Sequence, residues 1–201
     1  MGLESETKSD LLKAITANWR WVLQAAKIVD ADFLEDNFTE EELTEAGIYT
    51  KGEHEVKTAS FACDSATVEA FGSATVEACG NATVKAYGNA AVEACDSATV
   101  EAFESATVKA YGDATVKAFG SATVEACGNA TVEAFDSATV EAFESATVKA
   151  YGDATVAAYG NSYIEDYTGS IRPQSDYAIV KDYYNHKIYV KKGKFEIVEV
   201  D

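Results

Sequence analysis

The chain has 201 residues, with 34 Asp or Glu against 16 Lys or Arg, a net charge of −18 and one proline. An apolar share of 47% is enough for a core and excludes wholesale disorder. So acidic a balance argues against direct nucleic-acid binding, because that affinity comes from Lys and Arg releasing phosphate counterions, and turns attention to basic partners.

At the N-terminus, Met1-Gly2-Leu3-Glu4-Ser5-Glu6 is too acidic to open a secretory signal, and Glu6 stands where a myristoylation motif needs Ser or Thr. No run reaches the roughly 18 apolar residues that span a bilayer, so a cytoplasmic protein with no membrane partner is expected. Four cysteines are too few for a disulfide scaffold in a chain this long, and thiols are the default.

Residues 1–56 read as a small helical cap. Ser9 or Asp10 can start a helix whose broad apolar face carries Leu11, Leu12, Ile15, Trp19, Val22, Leu23 and Ala26. Thr39 with Glu42 three residues on predicts a capping box for a second short helix that Gly47 ends. Trp19 and Trp21 lie two apart and cannot face the same way on a helix. One is expected to pack against the next segment and the other to stand exposed, so both are candidate partner or dimer contacts. His54 between Glu53 and Glu55 is read as solvated surface, and no metal or cofactor is expected.

From Ser65 to Gly160 the sequence is twelve consecutive octads of the form S-A-T-V-E-A-F-G, flanked by degenerate copies at Lys57–Asp64 and Asn161–Thr168. Ala, Val and Ala alternate with Thr, Glu or Lys, and then Cys, Phe or Tyr, a period of two that makes each octad a short strand. Gly, Asp or Glu followed by Ser, Asn or Asp supplies the turn. Eight residues cannot bury themselves, so the units must coil and stack as a β-solenoid.

Columns in the sequence set the coil length. Cys63, Cys79, Cys95 and Cys127 are separated by multiples of 16 residues, and at that period Phe71, Tyr87, Phe103, Phe119, Phe135 and Tyr151 form the opposite column. The charged position runs Glu69, Lys85, Glu101, Lys117, Glu133, Lys149, Glu165 on one face, an alternation that pairs opposite charges along the stack. The other face reads Glu77, Glu93, Lys109, Glu125, Glu141. Two octads per coil, a flattened two-faced roll, fit both patterns, whereas a 24-residue coil scatters them. Residues 57–168 then make about seven coils, roughly 34 Å long at a strand spacing of about 4.8 Å. The seventh-position side chains are expected to turn partly inward at the corners. Residues 97–116 and 137–156 are identical, so octads have been copied as units of exchange.

Behind the array, residues 169–201 predict a three-stranded β-meander over Tyr177–Lys181, Lys187–Lys191 and Lys194–Val200. Its Lys181, Lys187, Lys191, Lys192 and Lys194, interleaved with Tyr177, Tyr183, Tyr184, Tyr189 and Phe195, read as solvated lysines around a tyrosine core rather than a surface for single strands. Both flanks are expected to cap the open ends of the roll. The charge divides as −8 over residues 1–56, −11 over 57–168 and +1 over 169–201.

The stretches Ala86-Tyr87-Gly88-Asn89-Ala90 and Ala158-Tyr159-Gly160-Asn161 resemble bacterial ice-nucleation repeats, which are also built of 16-residue coils. Those repeats expose T-x-T, whereas this chain has Thr67-Val68-Glu69. The octads are also similar to repeats in phage and gut-bacterial proteins. The resemblance implies a solenoid fold over about 110 residues and a bacterial or phage-infected cytoplasm.

The expected function is that of a non-enzymatic acidic binding module, a phage-type inhibitor or DNA mimic engaging a basic nucleic-acid-handling protein. Glu77, Glu93, Glu125, Glu141, Trp19 and Trp21 are the candidate contacts. The alternatives, in order, are a structural or assembly protein with the roll as a rigid spacer and homo-oligomer contacts in its terminal segments, and an ice-binding protein. No P-loop, G-x-G-x-x-G, H-E-x-x-H or G-x-S-x-G motif is present, and the many Glu residues repeat on every rung rather than forming one catalytic constellation.

Overall fold

The computed structural model describes residues 7–19, 21–22 and 29–191. Among these residues three short helices, α1 (Lys8–Ala17), α2 (Ala31–Asn37) and α3 (Glu40–Glu45), precede eighteen strands. β1 (Ile48–Tyr49), β2 (Glu53–Val56) and β3 (Ser60–Ala62) lead into β4 (Thr67–Ala70). Four-residue strands then recur every eight residues to β15 (Thr155–Ala158), followed by β16 (Tyr163–Asp166), β17 (Ile179–Asp182) and β18 (Lys187–Tyr189).

As far as β16, successive strands alternate between two sheets whose strands pair in parallel. Sheet A runs β1-β3-β5-β7-β9-β11-β13-β15, and sheet B runs β2-β4-β6-β8-β10-β12-β14-β16-β17-β18. Residues 16 apart are register partners, as in Val116 with Val100 and Val132. The molecule is therefore a β-solenoid of about eight 16-residue coils.

The octad pattern explains each strand. In β10 (Thr115–Ala118) Val116 and Ala118 are fully buried while Thr115 and Lys117 face solvent, and Ala114 one residue earlier completes the inward triplet. Strands end in tight turns such as the one closed by Ala74 N–H donating to the Phe71 carbonyl at 3.2 Å. The eighth octad position takes a left-handed conformation: Gly72 has φ +68° and Asp136 φ +55°. At two of the corners where a carboxylate replaces glycine, its oxygen accepts the corner N–H of the preceding coil, Gly120 to Asp136 at 3.1 Å and Gly128 to Glu144 at 2.9 Å. Gly160 has no such latitude, because a Cβ would lie 2.7 Å from the Glu144 nitrogen.

The sheets run past the octad array in both directions. β1 and β2 precede Lys57, and β17 pairs parallel to β16 with Ile164 beside Val180 and Asp166 beside Asp182. Two of the three predicted C-terminal strands thus exist, but the first continues the coil and only β18 runs antiparallel. The third, Lys194–Val200, lies outside the described residues. Buried Asp166 and Asp182 organise the last two loops. Asp166 accepts from the N–H groups of Thr168, Gly169 and Ile171, and Asp182 from the N–H and side-chain amide of Asn185.

The helical segment departs from expectation in several ways: α1 ends at Ala17 with Asn18 as its C-cap, short of Trp19 and Val22, and Leu11 of the predicted apolar face is 39% exposed. Its first cap is Thr7 rather than Ser9 or Asp10: the Thr7 hydroxyl accepts the Asp10 N–H at 3.3 Å and the Asp10 carboxylate accepts the Thr7 N–H at 3.2 Å. Leu23 and Ala26 of the predicted apolar face lie outside the described residues. A helix that was not predicted, α2, starts at Asp30, whose side chain accepts the Phe33 N–H at 2.8 Å. Thr39 and Glu42 form the predicted capping box for α3. Finally, the segment reaches beyond the end of the roll. Leu12, Ile15, Trp19, Val29, Leu34, Phe38 and Leu43 form one buried cluster with Ile48, Cys63, Cys79 and Cys95, so the helical layer lies along the sheet A corner over successive coils.

Candidate functional surface

Parallel in-register stacking converts each octad position into a straight column of like side chains. On sheet A the fifth position gathers Glu77, Glu93, Lys109, Glu125 and Glu141, each paired to the next and the last to Ala157. All four predicted glutamates therefore share one surface strip, with about 19 Å between its ends at four steps of about 4.8 Å. Glu141 is exposed and the other three are half-buried. Beside Glu77 and Glu93 lies a cleft of about 190 Å³ bordered by Phe61, Thr75 and Thr107, where Ala91 stands in a position that is otherwise Thr.

The fifth position of sheet B is balanced. Glu69, Lys85, Glu101, Lys117, Glu133, Lys149, Glu165 and Lys181 succeed one another in register. The ion pairs of this column among the described residues are Lys85 with Glu69 at 3.1 Å and Lys149 with Glu165 at 3.5 Å. The hydrogen bond from Lys85 to Glu69, and the negative charge of Glu165 beside Lys149, hold both ammonium groups above the ordinary lysine value.

The two corners differ as sharply. Beyond sheet B, Phe71, Tyr87, Phe103, Phe119, Phe135, Tyr151, Tyr167 and Tyr183 stack with ring centroids 4.7–5.1 Å apart and planes within 13° of parallel. These rings lie half-exposed against one another rather than turning inward as plugs; Tyr167 is the one classed as exposed. Stacking each ring on the next already removes its faces from water. Beyond sheet A, the column begins Cys63, Cys79, Cys95, Tyr111, Cys127, and its first three members lie beneath the helices. All four cysteines are thiols. Burial, aided by Asp64, Glu35 and Asp30, pushes Cys63 up to about 12, and burial raises the half-exposed Cys127 as well.

The tryptophans divide as the sequence predicts. Trp19 is 2% exposed and packs its ring 4.9 Å from that of Phe61, whereas Trp21 is 59% exposed. His54 stacks on Tyr49 with centroids 4.2 Å apart and its Nε2 is 2.8 Å from the Lys51 carbonyl. This contact between ring and backbone was not legible in the charged tripeptide around His54. No group of three His, Cys, Asp or Glu placed to hold a metal occurs among the described residues.

The tyrosine core expected at the C-terminal end does not form, because Tyr177 is 55% and Tyr184 72% exposed, while Tyr183 ends the ring stack. Lys181 lies 4.5 Å from the Tyr183 ring centroid, Arg172 3.9 Å from that of Tyr189, and Lys191 pairs with Asp176 at 3.6 Å. Tyr184, 72% exposed, and Ile188, 66% exposed, each present apolar surface at this end; Lys192, Lys194 and Phe195 lie outside the described residues. No described helix is long and apolar enough to cross a membrane. No protein-family model, curated protein or solved structure matches the chain.

Proposed function

We propose that the protein is a non-enzymatic binding module whose sheet A face engages a basic, nucleic-acid-handling protein. The observation that carries this reading is the contrast between faces. One column alternates in sign, while on the other four glutamates surround a single lysine on strands paired in register with their neighbours. Carboxylates fixed at one pitch meet an array of Lys or Arg without the entropy cost of ordering a loop.

The likeness to duplex DNA is partial. A duplex carries about 20 charges over 34 Å at one per about 1.7 Å, against a net −11 for residues 57–168. The module therefore competes for a subset of phosphate contacts. A phage-type inhibitor acting in the bacterial cytoplasm is the setting that accommodates such a competitor. Ice ordering is not proposed, because the outward position beside the third octad residue is charged on every strand from β4 to β14.

A second reading, an assembly protein joined through its ends, is favoured by the exposure of Trp21, Tyr184 and Ile188. Affinity capture from bacterial lysate separates the two. The binding module captures a basic protein that is released in about 1 M salt, where the screening length falls to about 3 Å, and that the Glu125→Gln/Glu141→Gln variant no longer retains. Capture that survives both treatments overturns the acidic-face reading.

A further inference from the structure

We infer that the sheet B face is a self-complementary surface on which a second copy of this chain docks, with the two solenoid axes antiparallel. The argument starts from the sign pattern. From Glu69 to Lys181 the column holds eight residues that alternate without a break, beginning with a carboxylate and ending with an ammonium. All eight are at least partly exposed.

Apply to this column a two-fold axis that runs along the strand direction between two facing sheets. The axis reverses the order of coils, so the first residue meets the eighth and the second meets the seventh. Because the column is even in length, every such meeting is of opposite charge. Glu69 faces Lys181 of the second copy, Lys85 faces Glu165, Glu101 faces Lys149, and Lys117 faces Glu133. The symmetry repeats each contact, giving eight pairs. The same operator lays the outer Thr column on its own counterpart and the ring column on its own, neither of which carries charge. Glu55, which sits beside Glu69 and breaks the alternation, meets the uncharged Ile188 of β18, the register partner of Lys181, at each end of the overlap.

The register is sharply specified. A slip of one coil, about 4.8 Å, places Glu on Glu and Lys on Lys along the whole contact. A parallel arrangement about the solenoid axis does the same at zero slip, and curing it by a slip destroys the two-fold symmetry that closes a dimer. Sheet A behaves oppositely under the antiparallel operation. Glu77 would meet Glu141, Glu93 would meet Glu125, and Lys109 would meet itself. Only one face of the roll is built to accept its own copy.

Pairing along the column within one chain does not account for this difference, because that pairing is open to both faces and only sheet B has the full alternation. The copied block makes the same point: Lys109 on sheet A and Lys149 on sheet B are the same position of identical 20-residue segments, yet the alternation is complete only around Lys149.

The face is about 34 Å by 13 Å for eight coils of four-residue strands, so a dimer covers about 900 Å², close to the roughly 1,000 Å² at which specific interfaces begin. A reversible dimer results, and its salt dependence has a maximum. Near 0.15 M the screening length of about 8 Å hides the distant acidic surfaces from each other while the touching pairs persist; near 0.01 M, at about 30 Å, the net charges of the two copies repel; near 1 M the pairs weaken.

Sedimentation velocity of the full chain tests this, with circular dichroism to establish that each variant is folded. The wild type is expected to show a monomer–dimer equilibrium, tightest at intermediate salt. Lys117→Glu and Glu133→Lys each put two like-charge contacts at the dimer centre, and each should raise the dissociation constant at least about tenfold. Mixed together, they restore both central pairs and should form a heterodimer about as tight as the wild type. Lys109→Glu, the same change on sheet A, should leave the constant within about twofold. A wild type that stays monomeric at every concentration, a mixture no tighter than either variant alone, or an equal loss with Lys109→Glu overturns the proposal.

Discussion

The two corners of the roll are made by the same turn and carry opposite surfaces. At the sheet B corner eight rings stack into a continuous ladder that finishes the surface by itself. At the sheet A corner three successive cysteines leave a shallow trough, and the helical segment fills it with Leu12, Ile15, Trp19 and Leu43. The lesson is that side-chain volume at one octad position decides whether a corner is closed or accepts another layer. A ring column satisfies its own faces, while a thiol column is too small to do so and needs a cover.

The hardest way to break this contrast is to remove the cover's anchor. Trp19 is nearly fully buried, so Trp19→Ala should cost the helical layer about 3–5 kcal/mol while leaving the strand signal in circular dichroism intact. Cys63, Cys79 and Cys95 should then react with a thiol reagent as fast as Cys127, which is already half-exposed. Trp21→Ala should change stability by less than about 0.5 kcal/mol, as an exposed substitution does. If both variants leave the thiols equally protected, the trough is not what the helices cover.

Much of this architecture is legible in the sequence because a repeat reports its own geometry. The 16-residue spacing of Cys63, Cys79, Cys95 and Cys127 fixed the coil length, and the strand registers have that period. The Thr39 and Glu42 capping box follows from helix capping alone, and Trp19 and Trp21 do differ in exposure as their spacing suggests, although both lie beyond Asn18, the C-cap of α1. What periodicity cannot report is where a unique segment lands. The clue to the cover was the concentration of cysteines in the early coils, which reads equally well as a buried column with no partner. The extra coil formed by β17 was hidden because its octad letters have changed. Only the spacing persists, in Asp166 with Asp182 and Tyr167 with Tyr183. α2 went unread because its signal, Asp30 ahead of Phe33 and Leu34, is a single cap without a capping box.

A smaller perturbation sharpens the comparison by changing the volume at two sites of one column in the same way. Cys79→Phe places a ring under the helices and should destabilise by about 1–3 kcal/mol through overpacking. Cys127→Phe falls between the Tyr111 and Phe143 coils, beyond the three cysteines that the helices cover, and should stabilise by about 0.5–1.5 kcal/mol by extending a ring ladder. Urea unfolding of the two variants reads the sign. Equal destabilisation would mean that the corner as a whole, rather than its cover, selects cysteine.

The finest distinction between the corners is invisible at neutral pH. Burial lifts Cys63 from an ordinary value of 9.0 to about 12, so between those values the folded chain keeps a neutral thiol where the unfolded chain carries a thiolate. The unfolded state has then lost a proton that the folded state retains, so stability must fall as pH rises. This contribution is complete below pH 9, declines from there and is gone above about 12. The loss falls on the helical cover, because that is the layer whose packing keeps Cys63 dry. Cys63→Ser should flatten the alkaline decline of the cover, followed through Trp19 fluorescence in the Trp21→Phe background. The ring corner has no thiol, but burial also raises the Tyr167 hydroxyl above its ordinary value of 10.0, so this corner has an alkaline decline of its own, which Cys63→Ser should leave unchanged. An unchanged decline in the Cys63→Ser variant would show that some other group releases the cover.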